Sequence, residues 1–182
     1  MNLNIGCGYN KIYGCANIDW DPNCNPDILL DLEKDVLPFE DNSVDSVIAY
    51  HILDRLGDGF FHTMKELYRV CKNGATIDIA VTYPRHDNFY ADPTIKRGIT
   101  LEGMWLLSKK YSDSASEKGF KTKSLAYFHD IDFEIIDMSY ILDPNFKITE
   151  DDDDSVLTSQ NNTRIQTNIK LVAVKLWKMY LN

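Results

Sequence analysis

Short β-branched or aliphatic runs recur along the chain between loop signals: Leu3–Ile5, Ala16–Asp19, Asp27–Leu30, Ser46–Tyr50, Ala75–Thr82, Phe133–Ile141 and Thr167–Lys178. Several are near-continuously apolar, as strands buried on both faces are, so the pattern predicts an α/β domain with a seven-stranded, mostly parallel sheet. Between the fourth and fifth runs, Phe60, Met64, Leu67 and Cys71 fall on one helical stripe flanked by Phe61 and Tyr68. Asp58 is placed to cap that helix, and Gly74, after Lys72 and Asn73, to close it in the left-handed conformation. A second helix is expected from Leu101 to Tyr111 behind the capping candidate Thr100, with Ser112 to Lys123 as a loop or frayed end. Ten residues separate Gly8 from Asp19. A helical crossover needs about a dozen, so the first helix is expected to be shortened or missing.

The stretch from Pro84 to Gly98 is rich in Pro, Asp, His, Asn and aromatics without period, and opens an irregular insertion covering about residues 84–124. Loops of that size inside compact domains are usually either functional or disordered. Glu150–Asp154 is a run of like charge inside a segment, 149–163, that reads as a solvated, mobile acidic loop; it lacks the alternating ligands and turn glycine of a calcium loop. No repeat or linker divides the chain, so residues 1–182 are expected to form one domain.

Charge narrows the partners. Nineteen basic against 28 acidic residues leave a net −9, which opposes bulk nucleic-acid binding, since that rests on lysine and arginine displacing counterions. No apolar run approaches the ~20 residues that span a bilayer, and Met1 leads almost directly into a strand without a leader pattern, so a cytoplasmic protein is expected. Four cysteines, Cys7, Cys15, Cys24 and Cys71, form no CxxC pair and have no histidine at ligand spacing. No metal is therefore expected.

The densest chemistry lies at the start. Leu3-Asn4-Ile5-Gly6-Cys7-Gly8 is a strand ending in G-x-G, and Asn17-Ile18-Asp19-Trp20 ends the next strand. Paired glycines let a ligand approach the main chain, and a carboxylate at the neighbouring tip can accept both hydroxyls of a ribose. Alone, G-x-G marks many ordinary turns, and Asp19 and Asp31 are also what plain polar strand ends look like. Asp31-Leu32 follows the third run, and Leu37-Pro38-Phe39-Glu40-Asp41-Asn42-Ser43-Val44-Asp45-Ser46-Val47-Ile48 leads into the fourth.

With these elements the chain resembles the class I S-adenosylmethionine-dependent methyltransferases, in the methyltransferase type 11-like branch. The carriers are an L-N-x-G-C-G start, a G-x-x-N-x-D second strand and an L-P-F-x-D-x-S-x-D-x-I approach to strand four. Glu66-Leu67-Tyr68-Arg69-Val70-Cys71-Lys72-Asn73-Gly74 is similar to the family's E-L-x-R-V-L-K-P-G-G helix exit. The likeness is close over residues 2–84 and looser beyond. It implies a Rossmann-like sheet with an antiparallel C-terminal strand and helices on both faces. It also implies S-adenosyl-L-methionine as cofactor, leaving as S-adenosyl-L-homocysteine. By resemblance, Asn4, Gly6, Cys7 and Gly8 face the methionine and ribose, and Asp19 holds the ribose hydroxyls. Trp20 packs on adenine, Asp31 and Leu32 address its amino edge, and Tyr50 and His51 lie near the sulfonium. Asn4 stands where the family often has an acid and offers the methionine ammonium no charge; Asn73 and Ala75 alter only a turn.

The insertion is the candidate cover for the pocket, with His86, Tyr90, Lys96 and Arg97 as substrate-binding candidates. Solvated loop residues are the alternative for each. An alcohol acceptor needs a base in reach, and an imidazole, with an ordinary pKa of about 6.5, suits it; the candidates are His51 and His86. The D-P-T triplet Asp92-Pro93-Thr94 is followed by Ile95 and not by the histidine common in the branch. Asp143-Pro144-Asn145-Phe146, the nearest approach to an adenine-methylating motif, falls after strand six, and no Pro-Cys nucleophile occurs. A small molecule or glycan, methylated on oxygen, is thus the expected acceptor, with no membrane partner. The rivals are a catalytically silent cofactor- or partner-binding module and an NAD-type oxidoreductase. The latter lacks the third small residue of its fingerprint, which Lys11 replaces.

Overall fold

The computed structural model describes residues 1–119, 125–145 and 164–175. Seven strands, β1 (Asn2–Ile5), β2 (Cys15–Asp19), β3 (Ile28–Leu29), β4 (Val44–Tyr50), β5 (Cys71–Thr82), β6 (Phe133–Leu142) and β7 (Arg164–Ala173), form one sheet in the order β3-β2-β1-β4-β5-β7-β6. The first five run parallel, and β7 is antiparallel to both neighbours. The chain builds outward from β1 to β3, then returns to lay β4 on β1's other side. The tips of β1 and β4 therefore flank the crevice where ligands of open α/β sheets bind. The expected class and strand number hold. The acidic loop at 149–163 lies outside the described residues.

The described helices are α1 (Phe60–Val70), α2 (Asp87–Ala91), α3 (Leu101–Trp105), α4 (Lys109–Glu117) and α5 (Leu125–His129). All belong to the β4-to-β5 and β5-to-β6 connections. Both connections step the same way across the sheet between parallel strands, so right-handed crossover puts their helices on one face. The β1-to-β2 and β2-to-β3 connections, which would cover the other face, hold only turns and a 3-10 turn at Pro22–Cys24. The expectation of helices on both faces is thus corrected for the described residues. Leu3, Val47, Ile77 and Leu171 are fully buried on the helical side, against Met64 and Leu67 of α1. The opposite side carries the register row Asn4, Ile48, Asp78, Lys170, Asp137, with Lys170 Nζ 3.1 Å from Asp78.

Near β1 and β2 a polar network replaces the missing helix. Asn4 Nδ2 donates to the Asn10 carbonyl at 3.0 Å and to Asn17 Oδ1 at 2.9 Å. Asn17 in turn accepts from Ile12 N at 2.8 Å and donates to Asp27 at 2.7 Å. Lys11 and these amide bonds hold the Asp27 carboxyl down to about 2. Two helical expectations are also corrected. Gly59, not Asp58, caps α1, without a side-chain bond; Gly74 is left-handed as expected (φ 82) but inside a β5 bulge, where the partner of Val44 is Cys71 and that of Ser46 is already Thr76. The 101–111 helix is split at Leu106–Ser108, where Ser108 starts α4 afresh by accepting from Tyr111 N, so residues expected as loop are helical. Among the described residues, no helix is long and apolar enough to cross a membrane.

The L-P-F and E-L-x-R segments are two halves of one clamp. Glu66 accepts from Leu37 N at 2.9 Å, while Arg69 donates to the Leu37 and Phe39 carbonyls at 2.9 and 2.8 Å and to Glu66 at 2.7 Å. The buried ends of these carbonyls have no strand partner, so the guanidinium satisfies them. Arg69 holds the Glu66 carboxyl below its usual 4.5, against the opposing effect of burial. Removing the clamp in Arg69→Ala should lower stability by about 2–3 kcal/mol in urea unfolding, since bonds to charged groups are worth more than neutral ones. Because the folded pKa of Glu66 is lowered, its contribution is complete above the unfolded value and fades as pH falls through the folded one. Glu66→Gln should therefore flatten the stability curve below about pH 4.5, the unperturbed carboxyl value, and an unchanged slope there would refute the clamp.

Candidate cofactor crevice at the strand tips

The tips of β1, β2 and β4 meet. Gly6 and Gly8 are both left-handed, with φ 61 and 49. Cys7 N donates to the Ile18 carbonyl at 3.0 Å and Gly8 N to Asp19 Oδ2 at 2.7 Å, fastening the β1 loop to the β2 tip. Asp19 Oδ1 accepts from Asp21 N at 3.0 Å. Each carboxylate oxygen thus uses one acceptor site on the main chain and keeps another. Beside the Gly8 Cα the space is open, whereas the Ile52 side chain lies against Gly6, where an added Cβ would sit 2.5 Å from Ile52 Cγ1. Ile52 is brought there by His51, left-handed at φ 54, whose N donates to the Ala80 carbonyl at 2.7 Å. The His51 ring itself is exposed.

The remaining expected cofactor residues divide. Asn4 is buried in the network under the loop and Leu32 in the core. Cys7 is buried beside Asp19, and burial first, then that carboxylate, pushes its thiol up, so it is inert. Trp20 is exposed next to Asp19. Asp31 accepts from Glu33 N at 3.0 Å and pairs with Lys34 at 2.6 Å, which holds its carboxyl below the usual range. Tyr50 departs from expectation: it lines a hollow on the open sheet face with Asp78, Asn168 and Lys170.

The insertion is sewn down rather than open. His86 caps α2, its Nδ1 accepting from Asn88 N at 3.1 Å, which leaves Nε2 to donate to Asp143 Oδ2 at 2.8 Å. That bond holds the Asp143 carboxyl below its usual range. With both ring nitrogens engaged and the side chain buried, His86 is a fastener, and the expectation of a base or substrate ligand there is corrected. Arg97 Nε donates to the Leu56 carbonyl at 2.8 Å and its guanidinium lies 4.4 Å from the Phe60 ring centroid; Lys96 pairs with Glu33 at 3.4 Å. Both sit on the β3 side of the crevice. Tyr90 is exposed.

Asp54 ties β5 to the insertion and does not pair with its neighbour Arg55. It is fully buried, its Oδ2 accepts from Thr82 N at 3.1 Å, and its carbonyl accepts from Lys96 N and Arg97 N at 2.9 and 3.1 Å. Arg55 pairs instead with Asp92 at 2.9 Å. A carboxylate between two loops leaves no periodic signal, so this joint is not legible from residue spacing.

Residues 19–78 match the model of a family described as a methyltransferase domain. The fold is shared with a SAM-dependent methyltransferase from Archaeoglobus fulgidus at TM-score 0.65 and 16% identity, over 94% of this chain and 85% of that one. A SAM-dependent methyltransferase from Methanosarcina mazei aligns at TM-score 0.56 and 15% identity over 96% and 92%. The chain thus shares the fold of these S-adenosylmethionine-dependent methyltransferases, and over residues 19–78 it is similar to a methyltransferase domain. The same fold also serves the [4+2]-cyclase SpnF, at TM-score 0.56 and 14% identity over 95% and 75%. No curated protein matches the chain. The matched segment runs from the Asp19 tip to Asp78 in mid-β5, so it spans the Glu66–Arg69 clamp and the Ile52 loop.

The two glycines should separate by cost. Gly8→Ala meets only backbone strain, about 1–2 kcal/mol. Gly6→Ala adds a collision with Ile52 and should cost at least about 1 kcal/mol more in urea unfolding. Equal losses would show that Ile52 does not press on Gly6.

Proposed function

We propose that the chain transfers a methyl group from S-adenosylmethionine to a small-molecule or glycan acceptor, with oxygen as the favoured atom and His51 as the base. The observation that carries this reading is the clasp of Gly8 N on Asp19, beside open space and under the β4 tip loop. The residues fit the nucleoside: Asp19 retains acceptor sites for the ribose hydroxyls, Trp20 offers an exposed ring for adenine, and Asp31 stands at the next tip. Ile52 must swing from Gly6 for the methionine end to pass. The bound cofactor supplies a methyl group on a sulfonium sulfur. The chain's part is to hold the acceptor in line and exclude water. For an alcohol, His51 is positioned at the β4 tip with an exposed ring to take the proton.

A second reading, a silent cofactor- or partner-binding module, is favoured by Ile52 over Gly6. The NAD alternative is opposed by residues 6–14, which form turns and no helix whose N-terminus could hold a pyrophosphate. Calorimetric titration separates the three. S-adenosylhomocysteine should bind and NAD should not, and Asp19→Ala should weaken binding by at least about tenfold, or ~1.4 kcal/mol. Asp19→Asn, which keeps an acceptor for Gly8 N, should weaken it less. Tight NAD binding, or an indifferent Asp19, overturns the assignment; turnover of S-adenosylmethionine with any acceptor excludes the silent module.

A further inference from the structure

At the far end of the crevice's row of strand tips, Arg164 opens β7 between the ends of β5 and β6. It is only 6% exposed. Its guanidinium carbon lies 3.8 Å from the Tyr140 ring centroid and 5.8 Å from that of Tyr83. Among the described residues no carboxylate lies within ion-pair distance of it. Burying a guanidinium is costly unless its five N–H donors are satisfied. A ring face offsets part of the charge but takes none of the in-plane donors. Those donors border a cavity of about 250 Å³ whose walls include Tyr83, Ile99, Thr100, Tyr140 and Thr167. The residues Arg85 and Glu102 at its margin are exposed and of opposite sign, so the buried field is set by Arg164. The Tyr140 hydroxyl, its pKa raised by burial, stays protonated and adds a neutral donor beside the cation.

We propose that this cavity receives the anionic group of the methyl acceptor, a carboxylate or phosphate held by the planar fork of Arg164 with the carbon skeleton in the cavity beside Ile99 and Thr100. Two parallel N–H bonds to a bidentate anion complete the guanidinium in the direction the rings leave open. The volume, at the lower end of ligand pockets, suits one small acid or the charged end of a larger molecule. Calling the anion an acceptor rests on the proposed methyl transfer; the binding site itself does not.

The test is amide chemical-shift titration of the full chain with benzoate, phenyl phosphate and neutral benzamide, alongside calorimetry with S-adenosylhomocysteine. At least one anion should shift Tyr83, Thr100, Leu101 and Thr167 saturably, and bind at least about tenfold more tightly than benzamide; the tighter anion assigns carboxylate or phosphate. Arg164→Gln should abolish the preference, Arg164→Lys should retain a weakened one, and both should bind S-adenosylhomocysteine within about twofold of the parent. Resonances away from the cavity report whether each variant is folded. Equal binding of benzamide, shifts centred elsewhere, or a folded Arg164→Gln that keeps the anion overturns the proposal. If benzoate binds and S-adenosylhomocysteine does not, the site stands and the cofactor reading falls; the reverse result separates them the other way.

Discussion

Main-chain amides at a strand tip need partners, and where no helix follows β1 those partners come from β2, both its main chain and its side chains. The β1-to-β2 connection, residues 6–14, is too short for a returning helix, so Asp19 takes Gly8 N and Asn17 takes Ile12 N. That single constraint fixes the loop against the sheet, buries Asp19 beside the glycine turn, and leaves one face of the sheet without helices among the described residues. The same side chains are therefore both the brace of the loop and the material of the crevice, which is why Asn4 and Asn17 look like motif residues and act as structure.

The insertion that lies over the opposite end of the crevice is anchored at several independent points. His86 reaches Asp143 beyond β6, Arg55 reaches Asp92, and the Asp54 carbonyl collects Lys96 N and Arg97 N while its carboxylate holds β5. One carboxylate oxygen, Asp54 Oδ1, has no partner, which marks the joint as a place where the buried polar accounting is incomplete. The β1 side of the crevice rests on two left-handed glycines with the Ile52 side chain against Gly6. The other side rests on ion pairs and buried bonds, so its shape is set before anything binds.

Much of this was legible in the sequence, for physical reasons that differ by element. Strands β1 to β5 announced themselves because their helical-side residues are aliphatic and their ends are glycine, aspartate or asparagine. The meeting of Asp19 with the G-x-G turn followed from that spacing. The bare face was written there too, in the alternation of Thr76-Ile77-Asp78-Ile79 and of Asn168-Ile169-Lys170-Leu171, but a parallel-sheet reading looks for continuous apolar runs and passes over it. The fate of His86 was not legible, because whether an imidazole is free depends on Asn88 and on Asp143, 57 residues away. Arg164 carried no signal either: a lone arginine at a strand start is ordinary until Tyr83 and Tyr140 are seen around it.

The unequal faces of the sheet give β5 and β7 two regimes of substitution in alternate residues. At Ile77, Ile79, Ile169 and Leu171 a lost methylene leaves a void, and each change is penalised by its volume. At Asp78, Asn168 and Lys170, one residue along, exchange among polar side chains opens no void and is constrained only by charge. Sequence drift in this domain should therefore accumulate with a period of two along the same strands that hold its core.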